Sequence, residues 1–453
     1  MYKIIVSFCF CLVGLVCIAQ PQADDRLAKS IDSLVAPQFQ GNQPGVSILI
    51  AKKGQVVYQK TFGSASVELD VPLKPELTFD LGSITKQFTA VAILQLVEQG
   101  KIALTDSIQR FIKDFPSKGY TITIENLLTH TSGIPDYMQL ETGDPYAERK
   151  DFTPKAIIDL FKTLPLQFEP GTKFSYSNSG YFLLGYVIAQ VSGENYYKYV
   201  QDHILTPLGL NHTFLNHPNE IIPNHVNGYK KEGDQYKKAD YWSATLPYAA
   251  GDLISNTADL FTWHQALYSG KVLKKESLDK AFAPFILKDG TSAGYGYGWY
   301  QKDFNGVKSI GHGGAITGFL TDETYYPGQD VYVAILCNCE CIAKDDLSLA
   351  IAGLALGKPL QTDLVLNDSV LNGYTGTYAM LPDQKRTMVI AKKGDHLVAD
   401  VKGQGSFELL FQSDTAFDFK GIPGASARFV MENGKVTGFV VEQNGRYEWK
   451  KIK

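Results

Sequence analysis

One stretch of the chain reads Phe79-Asp80-Leu81-Gly82-Ser83-Ile84-Thr85-Lys86-Gln87-Phe88, with a serine and a lysine three residues apart at the start of a long apolar run. The apolar residues recur at helical spacing as far as Gly100, which predicts a buried helix. Positions i and i+3 share a helix face, so the Lys86 amine is expected beside the Ser83 hydroxyl. A lysine desolvated at the first turn, near the positive end of the helix dipole, has its ammonium form disfavoured. It can then take the serine proton, which predicts Ser83 as nucleophile and Lys86 as base.

The same Ser-x-x-Lys spacing occurs a second time, at Ser277-Leu278-Asp279-Lys280. Spacing alone is weak evidence for catalysis, because such pairs arise often by chance. The second copy lies in a charged stretch and predicts an ordinary solvated helix. Context therefore separates the two copies, since the first opens a buried helix and the second does not.

Length and composition are those of a globular protein. The 453 residues are enough for two or three domains, and 44% hydrophobic and 20% charged residues are ordinary for a folded chain. The net charge of -4 gives no reason to expect nucleic acid or an anionic membrane as a partner.

Residues 1–19 have the pattern of a signal peptide. A basic start is followed by an apolar run too short to span a bilayer, and small residues precede Gln20, the predicted mature start. A lipoprotein attached through Cys17 is the less favoured alternative, because Val16 is bulkier than the residue that usually precedes such a cysteine. Either way we expect an exported protein, periplasmic or secreted, with no stable membrane span in the mature chain.

Three cysteines follow the predicted signal peptide: Cys337, Cys339 and Cys341. They come after a strand-like run, residues 331–336, and their spacing of two puts them on one face if the strand continues. Three soft ligands could suggest a metal, but no histidine is near in sequence, and three thiols cannot all pair. We favour small buried residues at a strand end and predict no metal and no cofactor.

The order of the patterns divides the chain into domains. β patterns lie at both ends of residues 25–358 with helical segments between them, which predicts one sheet built from both ends and an inserted helical lobe. We assign residues 20–358 to this domain and 359–365 to a linker. Residues 366–453 are predicted to form a small antiparallel barrel or sandwich, because alternating apolar residues flank two Asn-Gly turns. No catalytic cluster occurs in this last domain.

Two further stretches supply the other groups that serine acyl transfer needs. Tyr176-Ser177-Asn178 offers a tyrosine whose phenolate a nearby lysine would favour, so that it can serve as base or acid. Asn178 can bind a substrate carbonyl or orient the catalytic lysine. His312-Gly313-Gly314 is predicted on or entering a strand, where glycines let substrate approach the backbone. The backbone N–H groups of Ser83 and Ala315 would form the oxyanion hole. The predicted substrate-binding residues are Asn178, His312, Gly313 and Gly314.

Together these motifs resemble the serine β-lactamase and penicillin-binding-protein superfamily, in the branch that holds class C β-lactamases, D-alanyl-D-alanine carboxypeptidases, D-aminopeptidases and related esterases. The resemblance covers roughly residues 25–358 and rests on Ser83-Ile84-Thr85-Lys86, Tyr176-Ser177-Asn178 and His312-Gly313-Gly314. It implies an α/β (α+β) fold, with an antiparallel sheet flanked by helices and an all-helical lobe. It also implies acylation of Ser83, with Lys86 and Tyr176 as the proton-transfer pair. The C-terminal region resembles, more weakly, the β domain often appended to such hydrolases.

One departure from the family pattern bears on the substrate. Class C β-lactamases carry Lys-Thr-Gly where this chain has His312-Gly313-Gly314. A lysine at that position is positive and attracts a carboxylate. A histidine must be protonated to do so, and the pKa of an unperturbed histidine is near 6.5. The resemblance therefore implies an exported serine hydrolase for D-amino-acid-containing peptides or small esters. A β-lactamase is the first alternative. A catalytically silent binding protein for cell-wall peptides or β-lactams is the alternative from another class.

Overall fold

The computed structural model describes residues 25–453 except 141–143, 145–146, 218–219, 305, 343, 359, 361–365, 383, 395, 402–404, 412–413, 421, 423–424, 433 and 444. The predicted signal peptide (1–19), and all of the predicted linker (359–365) except residue 360, lie outside these residues. The α-helices are α1 Asp25–Val35, α2 Thr85–Glu98, α3 Ile124–Leu128, α4 Pro154–Phe161, α5 Asn178–Ser192, α6 Tyr196–Val200, α7 Thr206–Leu208, α8 Thr257–Tyr268, α9 Lys275–Phe282, α10 Lys344–Leu356 and α11 Asp368–Tyr374. None of these helices combines the length and the apolar character needed to cross a membrane.

The strands of the first domain are β1 Val46–Lys52, β2 Gln55–Phe62, β3 Ser64–Ser66, β4 Val71–Pro72, β5 Phe79–Asp80, β6 Phe214–Leu215, β7 Tyr229–Glu232, β8 Gln235–Lys238, β9 Leu253–Ser255, β10 Tyr300–Phe304, β11 Val307–Ile316, β12 Phe319–Tyr326 and β13 Val331–Cys337. The strands that follow are β14 Gly376–Met380, β15 Thr387–Lys393, β16 His396–Val401, β17 Gly405–Phe411, β18 Ala416–Phe419, β19 Ser426–Glu432, β20 Lys435–Glu442 and β21 Arg446–Lys451.

The central sheet joins the two ends of the first domain, as predicted. Its six antiparallel strands lie in the order β10-β11-β12-β13-β1-β2, and Val46 on β1 stands opposite Cys337 on β13. Alternate residues of β1 and β13 pack against α1 and α10 on one face and against α8 on the other. The residues of these two strands are nearly all buried because both of their faces are covered.

Helix α2 lies in the middle of the largest core and confirms the helix predicted after Ser83. It follows directly from a 3-10 turn over residues Gly82–Ile84. Nearly all of its side chains are buried, including three polar residues of its first turn, Thr85, Lys86 and Gln87. A helix that is buried all round needs internal partners for such polar groups.

The second Ser-x-x-Lys copy lies on the surface helix α9, as predicted. Lys280 is exposed, and its amine pairs with the Glu125 carboxylate at 3.5 Å. This lysine is thus engaged by an exposed ion pair, whereas Lys86 is fully buried beside Ser83.

Residues beyond 375 form a closed barrel of eight antiparallel strands, β14 to β21 in sequence order. Closure leaves no free strand edge. A barrel is one of the two β architectures that the sequence predicts for this region. Aromatic side chains fill the interior, among them Tyr378, Phe417, Phe429 and Phe439. The barrel therefore has a hydrophobic core of its own.

The three cysteines differ from one another. Cys337 is the buried last residue of β13, and Cys339 and Cys341 form a disulfide. The strand ends at Cys337, so the condition for one shared strand face is not met. The pairing of the other two cysteines was not predicted. Within the described residues, no group of three or more His, Cys, Asp or Glu side chains is arranged to hold a metal ion.

We predict that truncation after Gly357 leaves the first domain folded. The barrel core uses residues from 366 onward, and the core around α2 uses none of them. The barrel comes close to the first domain at Glu442, whose pKa is raised by burial and lowered in part by Arg446 and Lys173. The truncated chain should melt cooperatively and still be labelled at Ser83 by a fluorophosphonate. Lost labelling with unchanged circular dichroism would show that the barrel completes the site.

Candidate active site

Ser83 lies on a tight turn between β5 and α2. The 3-10 turn over residues Gly82–Ile84 leads straight into the buried helix. Gly82 has a φ of 56°, and a Cβ added there would lie 2.9 Å from the backbone nitrogen of Ala315. Glycine supplies this backbone conformation and allows the close approach of β11. The half-buried Ser83 is thus held at the start of a rigid helix. It lies beside β11, the strand that carries the third motif, His312-Gly313-Gly314.

Lys86 is fully buried beside Ser83, as the helical spacing predicts. Its Nζ lies 3.0 Å from Ser83 Oγ, 2.9 Å from Asn178 Oδ1 and 2.7 Å from the Ala250 carbonyl oxygen. Burial lowers the pKa of Lys86 to about 7, and the negative charge of Asp136 opposes this in part. Near neutral pH a large fraction of Lys86 is therefore the free amine.

The three contacts of Lys86 decide where the lone pair of that amine points. Asn178 Nδ2 donates to Asp136 Oδ2 at 2.9 Å, which turns Asn178 Oδ1 toward Lys86. Asn178 Oδ1 and the Ala250 carbonyl oxygen can only accept, so a neutral amine donates both of its protons to them. The remaining lone pair faces Ser83, whose hydroxyl must then be the donor. This arrangement suits proton transfer from Ser83 to Lys86.

Tyr176 packs beside Lys86, with Nζ 4.8 Å from the centroid of the phenol ring. Burial raises the pKa of Tyr176 well above its usual value, and the neighbouring Ser83 hydroxyl only partly offsets this. The expectation that Lys86 would favour the phenolate is therefore wrong, because desolvation dominates. The Tyr176 hydroxyl is buried without a hydrogen-bond partner among the described residues. Tyr176 is thus a neutral phenol that is able to donate a proton.

Strand β11 brings His312-Gly313-Gly314 against the turn over residues Gly82–Ile84, which carries Ser83. A Cβ at Gly314 would lie 1.9 Å from the Leu81 carbonyl oxygen, so a glycine is required for this contact. The next residue, Ala315, has its backbone nitrogen beside Gly82. The two N–H groups predicted for the oxyanion hole, those of Ser83 and Ala315, therefore belong to adjoining segments.

His312 lacks the charge that binding a substrate carboxylate would require. Its ring is buried, with Nε2 3.0 Å from the Tyr295 hydroxyl and Nδ1 2.6 Å from the Gly313 carbonyl oxygen. Burial, aided by the charges of Lys86 and Lys344, lowers the pKa of His312 to about 3. A carbonyl can only accept, so Nδ1–H donates to Gly313 and Nε2 accepts from Tyr295. A neutral imidazole bonded through both nitrogens cannot pair with a substrate carboxylate.

Gly313 faces the opposite side of β11 from His312 and Gly314, because successive strand residues alternate. A Cβ there would lie 2.8 Å from Lys344 Nζ, and that ammonium pairs with Asp345 at 2.6 Å. Gly313 therefore leaves room for Lys344. Any contact between Gly313 and a substrate would be made by the Gly313 backbone.

Two groups of the site were not predicted from the sequence. Asp136 accepts a hydrogen bond from Asn178, and its negative charge raises the pKa of Lys86. The Ala250 carbonyl oxygen accepts a hydrogen bond from Lys86. The only signal for Asp136 was a carboxylate directly after the Gly133-Ile134-Pro135 loop. A backbone carbonyl leaves no signal in residue type, so Ala250 could not have been found this way.

Comparison with known proteins identifies the family of this fold. Residues 27–358 match the family described as Beta-lactamase. The chain belongs to the β-lactamase family. Members are mostly serine hydrolases that act on D-amino-acid substrates.

Two of the relatives match along at least 90% of this chain, and a third matches a shorter part. Penicillin-binding protein 4* of Bacillus subtilis (strain 168) is 28% identical over 445 residues, which are 93% of this chain and 97% of that one. The octameric penicillin-binding protein homologue from Pyrococcus abyssi superposes with a TM-score of 0.62 at 26% identity, over 90% of this chain and 96% of that one. A D-stereospecific amidohydrolase from Streptomyces shares the fold, with a TM-score of 0.62 at 24% identity, over 74% of this chain and 98% of that one.

We predict that Asp136→Asn moves the acidic limb of the kcat/KM pH profile to lower pH. Activity should rise as Lys86 loses its proton, near pH 7 in the wild type. The Asp136 charge favours the ammonium form, so its removal lowers the pKa of Lys86 and leaves more free amine at acidic pH. The amide oxygen of the substituted side chain can still accept from Asn178. The exposed Asp159→Asn serves as control, and a limb that stays in place or moves to higher pH contradicts the prediction.

Proposed function

We propose that this chain is an exported serine hydrolase that forms an acyl-enzyme on Ser83 and cleaves D-amino-acid amides, D-amino-acid-containing peptides or small esters. The observation that carries the proposal is the fully buried Lys86, whose pKa of about 7 and fixed hydrogen bonds leave its lone pair facing Ser83. Export rests on the signal-peptide pattern of residues 1–19.

Acylation begins when Lys86 Nζ takes the Ser83 hydroxyl proton and Oγ bonds to the substrate carbonyl carbon. The carbonyl oxygen gains negative charge, which the backbone N–H groups of Ser83 and Ala315 stabilise. Because the helix and the strand hold these donors in place, they need no rearrangement during the reaction.

The leaving group departs with a proton from Tyr176. The neutral phenol donates to the leaving nitrogen or oxygen as the bond to the carbonyl carbon breaks, and it recovers a proton from the nearby Lys86 ammonium. Water then attacks the acyl carbon with its proton taken by the same pair, which releases the acid and restores Ser83. Each group ends the cycle in its starting protonation state.

The environment of the third motif bears on the substrate. His312 is neutral and bonded on both sides, and the Tyr295 and Tyr300 rings lie against it at centroid distances of 5.6 and 5.0 Å. This apolar wall suits an amide or ester without a free carboxylate at that position. A β-lactam carries a carboxylate that His312 cannot pair with, so the β-lactamase alternative is less favoured.

We predict that Ser83→Ala abolishes fluorophosphonate labelling and lowers turnover by more than about 10³-fold, because the nucleophile is lost. Ser277→Ala is the matched control, since it changes the serine of the other Ser-x-x-Lys copy, and it should leave both readouts unchanged. Wild-type turnover in Ser83→Ala would contradict the assignment of Ser83 as the nucleophile. A wild-type protein that is neither labelled nor active would support the silent binding alternative.

We predict that Tyr176→Phe affects substrates according to their leaving group. An aniline must be protonated as it leaves, whereas p-nitrophenolate departs as a stable anion. The kcat/KM for D-alanine p-nitroanilide should therefore fall about 10²–10⁴-fold, and that for p-nitrophenyl acetate by less than about tenfold. Equal losses on the two substrates would contradict the acid role of Tyr176.

A further inference from the structure

His130 lies in a strained backbone conformation within the loop after α3. Its φ is 56°, in the left-handed region that a residue with a Cβ seldom adopts. The hydroxyls of Thr129 and Thr131, on either side of it, bond each other at 2.9 Å, and Asn126 Nδ2 donates to Thr131 Oγ1 at 3.2 Å. The loop thus holds His130 in a conformation it would not choose. Such strain is often found where a residue has a functional task.

The backbone on both sides of Tyr176 is bonded to this one histidine. Ser175 N–H donates to the His130 carbonyl oxygen at 2.9 Å, and Ser177 N–H donates to His130 Nδ1 at 3.1 Å. The positive φ lets the main chain and the side chain of His130 reach the same segment. Tyr176 is therefore the single residue between two hydrogen bonds to His130.

The His130 ring also packs directly on the phenol ring. Their centroids are 4.2 Å apart, whereas the Tyr295, Tyr300 and His312 rings lie 6.1 to 6.5 Å from Tyr176. Because Nδ1 accepts from Ser177, the proton of the neutral ring is on Nε2, which is buried without a hydrogen-bond partner among the described residues. A core histidine selected only for packing would normally have this donor satisfied.

We propose that His130 is the positioning residue of Tyr176, which fixes the phenol through two backbone hydrogen bonds and one ring contact so that it can protonate the leaving group. This inference rests on the proposed function and deepens it. The Tyr176 hydroxyl lies near the Ser83 hydroxyl but makes no hydrogen bond of regular geometry to a described residue, so the ring position depends on what packs against it. A proton donor displaced by a fraction of an ångström from the leaving atom loses much of its effect.

The test uses His130→Asn in the full-length chain. Asparagine tolerates a positive φ, and its Oδ1 can replace Nδ1 as the acceptor for Ser177, so the main loss is the ring against Tyr176. The kcat/KM for D-alanine p-nitroanilide should fall about tenfold or more, and that for p-nitrophenyl acetate by less than about threefold. In a Tyr176→Phe background, the same substitution should cost less than about twofold on the anilide, because the acid it positions is already absent.

His264→Asn is the matched control. His264 is also buried among aromatic rings, with centroids 4.6 Å from Tyr332 and 4.5 Å from Tyr325, but it lies on α8 away from Ser83. It should lower the melting temperature without changing the ratio of anilide to ester activity. If His130→Asn does not fold, His130→Gly adopts the positive φ freely and removes both the ring and the Ser177 acceptor, and the same ratio and the same double-mutant comparison apply.

The outcomes separate the inference from the function it rests on. Equal loss on anilide and ester, or full loss repeated in the Tyr176→Phe background, overturns the positioning role of His130 and leaves the function in place. Unchanged activity in His130→Asn likewise overturns the positioning role of His130 and leaves the proposed function in place. A Tyr176→Phe single variant with wild-type anilide activity overturns both, because Tyr176 is then not the acid.

Discussion

The burial of one lysine amine governs the site. An ammonium taken out of water is costly unless it is paired or loses its proton, and Lys86 has no carboxylate in direct contact among its hydrogen bonds to described residues. Its pKa therefore falls to about 7, and its contacts are a hydroxyl, a side-chain amide and a backbone carbonyl. The same desolvation that would destabilise a structural lysine makes this one a base near neutral pH.

Three segments must meet for this to happen, and close packing of glycines brings them together. Helix α5 carries Asn178 and packs on the turn over Tyr248–Ala250, where a Cβ at Gly185 would lie 2.3 Å from Ala249 Cβ. That contact lets the Ala250 carbonyl approach Lys86. On the other side, Gly82 and Gly314 let β11 reach the nucleophile turn. The positions that look least informative in the sequence thus set the geometry of the base and of the oxyanion hole.

Desolvation also changes the roles of the neighbouring groups. The pKa of Tyr176 is raised and that of His312 is lowered, both because burial disfavours the charged form. Around one serine, the site therefore places a phenol and an imidazole that are neutral and an amine that has in large part lost its proton near pH 7, with the Asp136 carboxylate behind Asn178. Such an arrangement favours proton transfer within the site over attraction of a charged substrate.

The sequence by itself determined the main elements and the contact between Ser83 and Lys86. Periodicity predicted α2, the strands at both ends of the first domain predicted a shared sheet, and the turn pattern after 366 predicted antiparallel β structure. The i, i+3 spacing of Ser83 and Lys86 is a local property, so their contact followed from helix geometry alone. The motif order also placed Tyr176, Asn178 and the His312 segment at the same site.

Only the tertiary structure decided the protonation states, the lone-pair direction and the pairing of Cys339 with Cys341. These depend on burial and on contacts between segments far apart in the chain, such as Ala250 with Lys86 and Ser177 with His130. Residue type sets the usual pKa of a group, but desolvation and neighbours shift it. For that reason the sequence identified the groups at the site, whereas their charges and the task of His130 became apparent only from the packed fold.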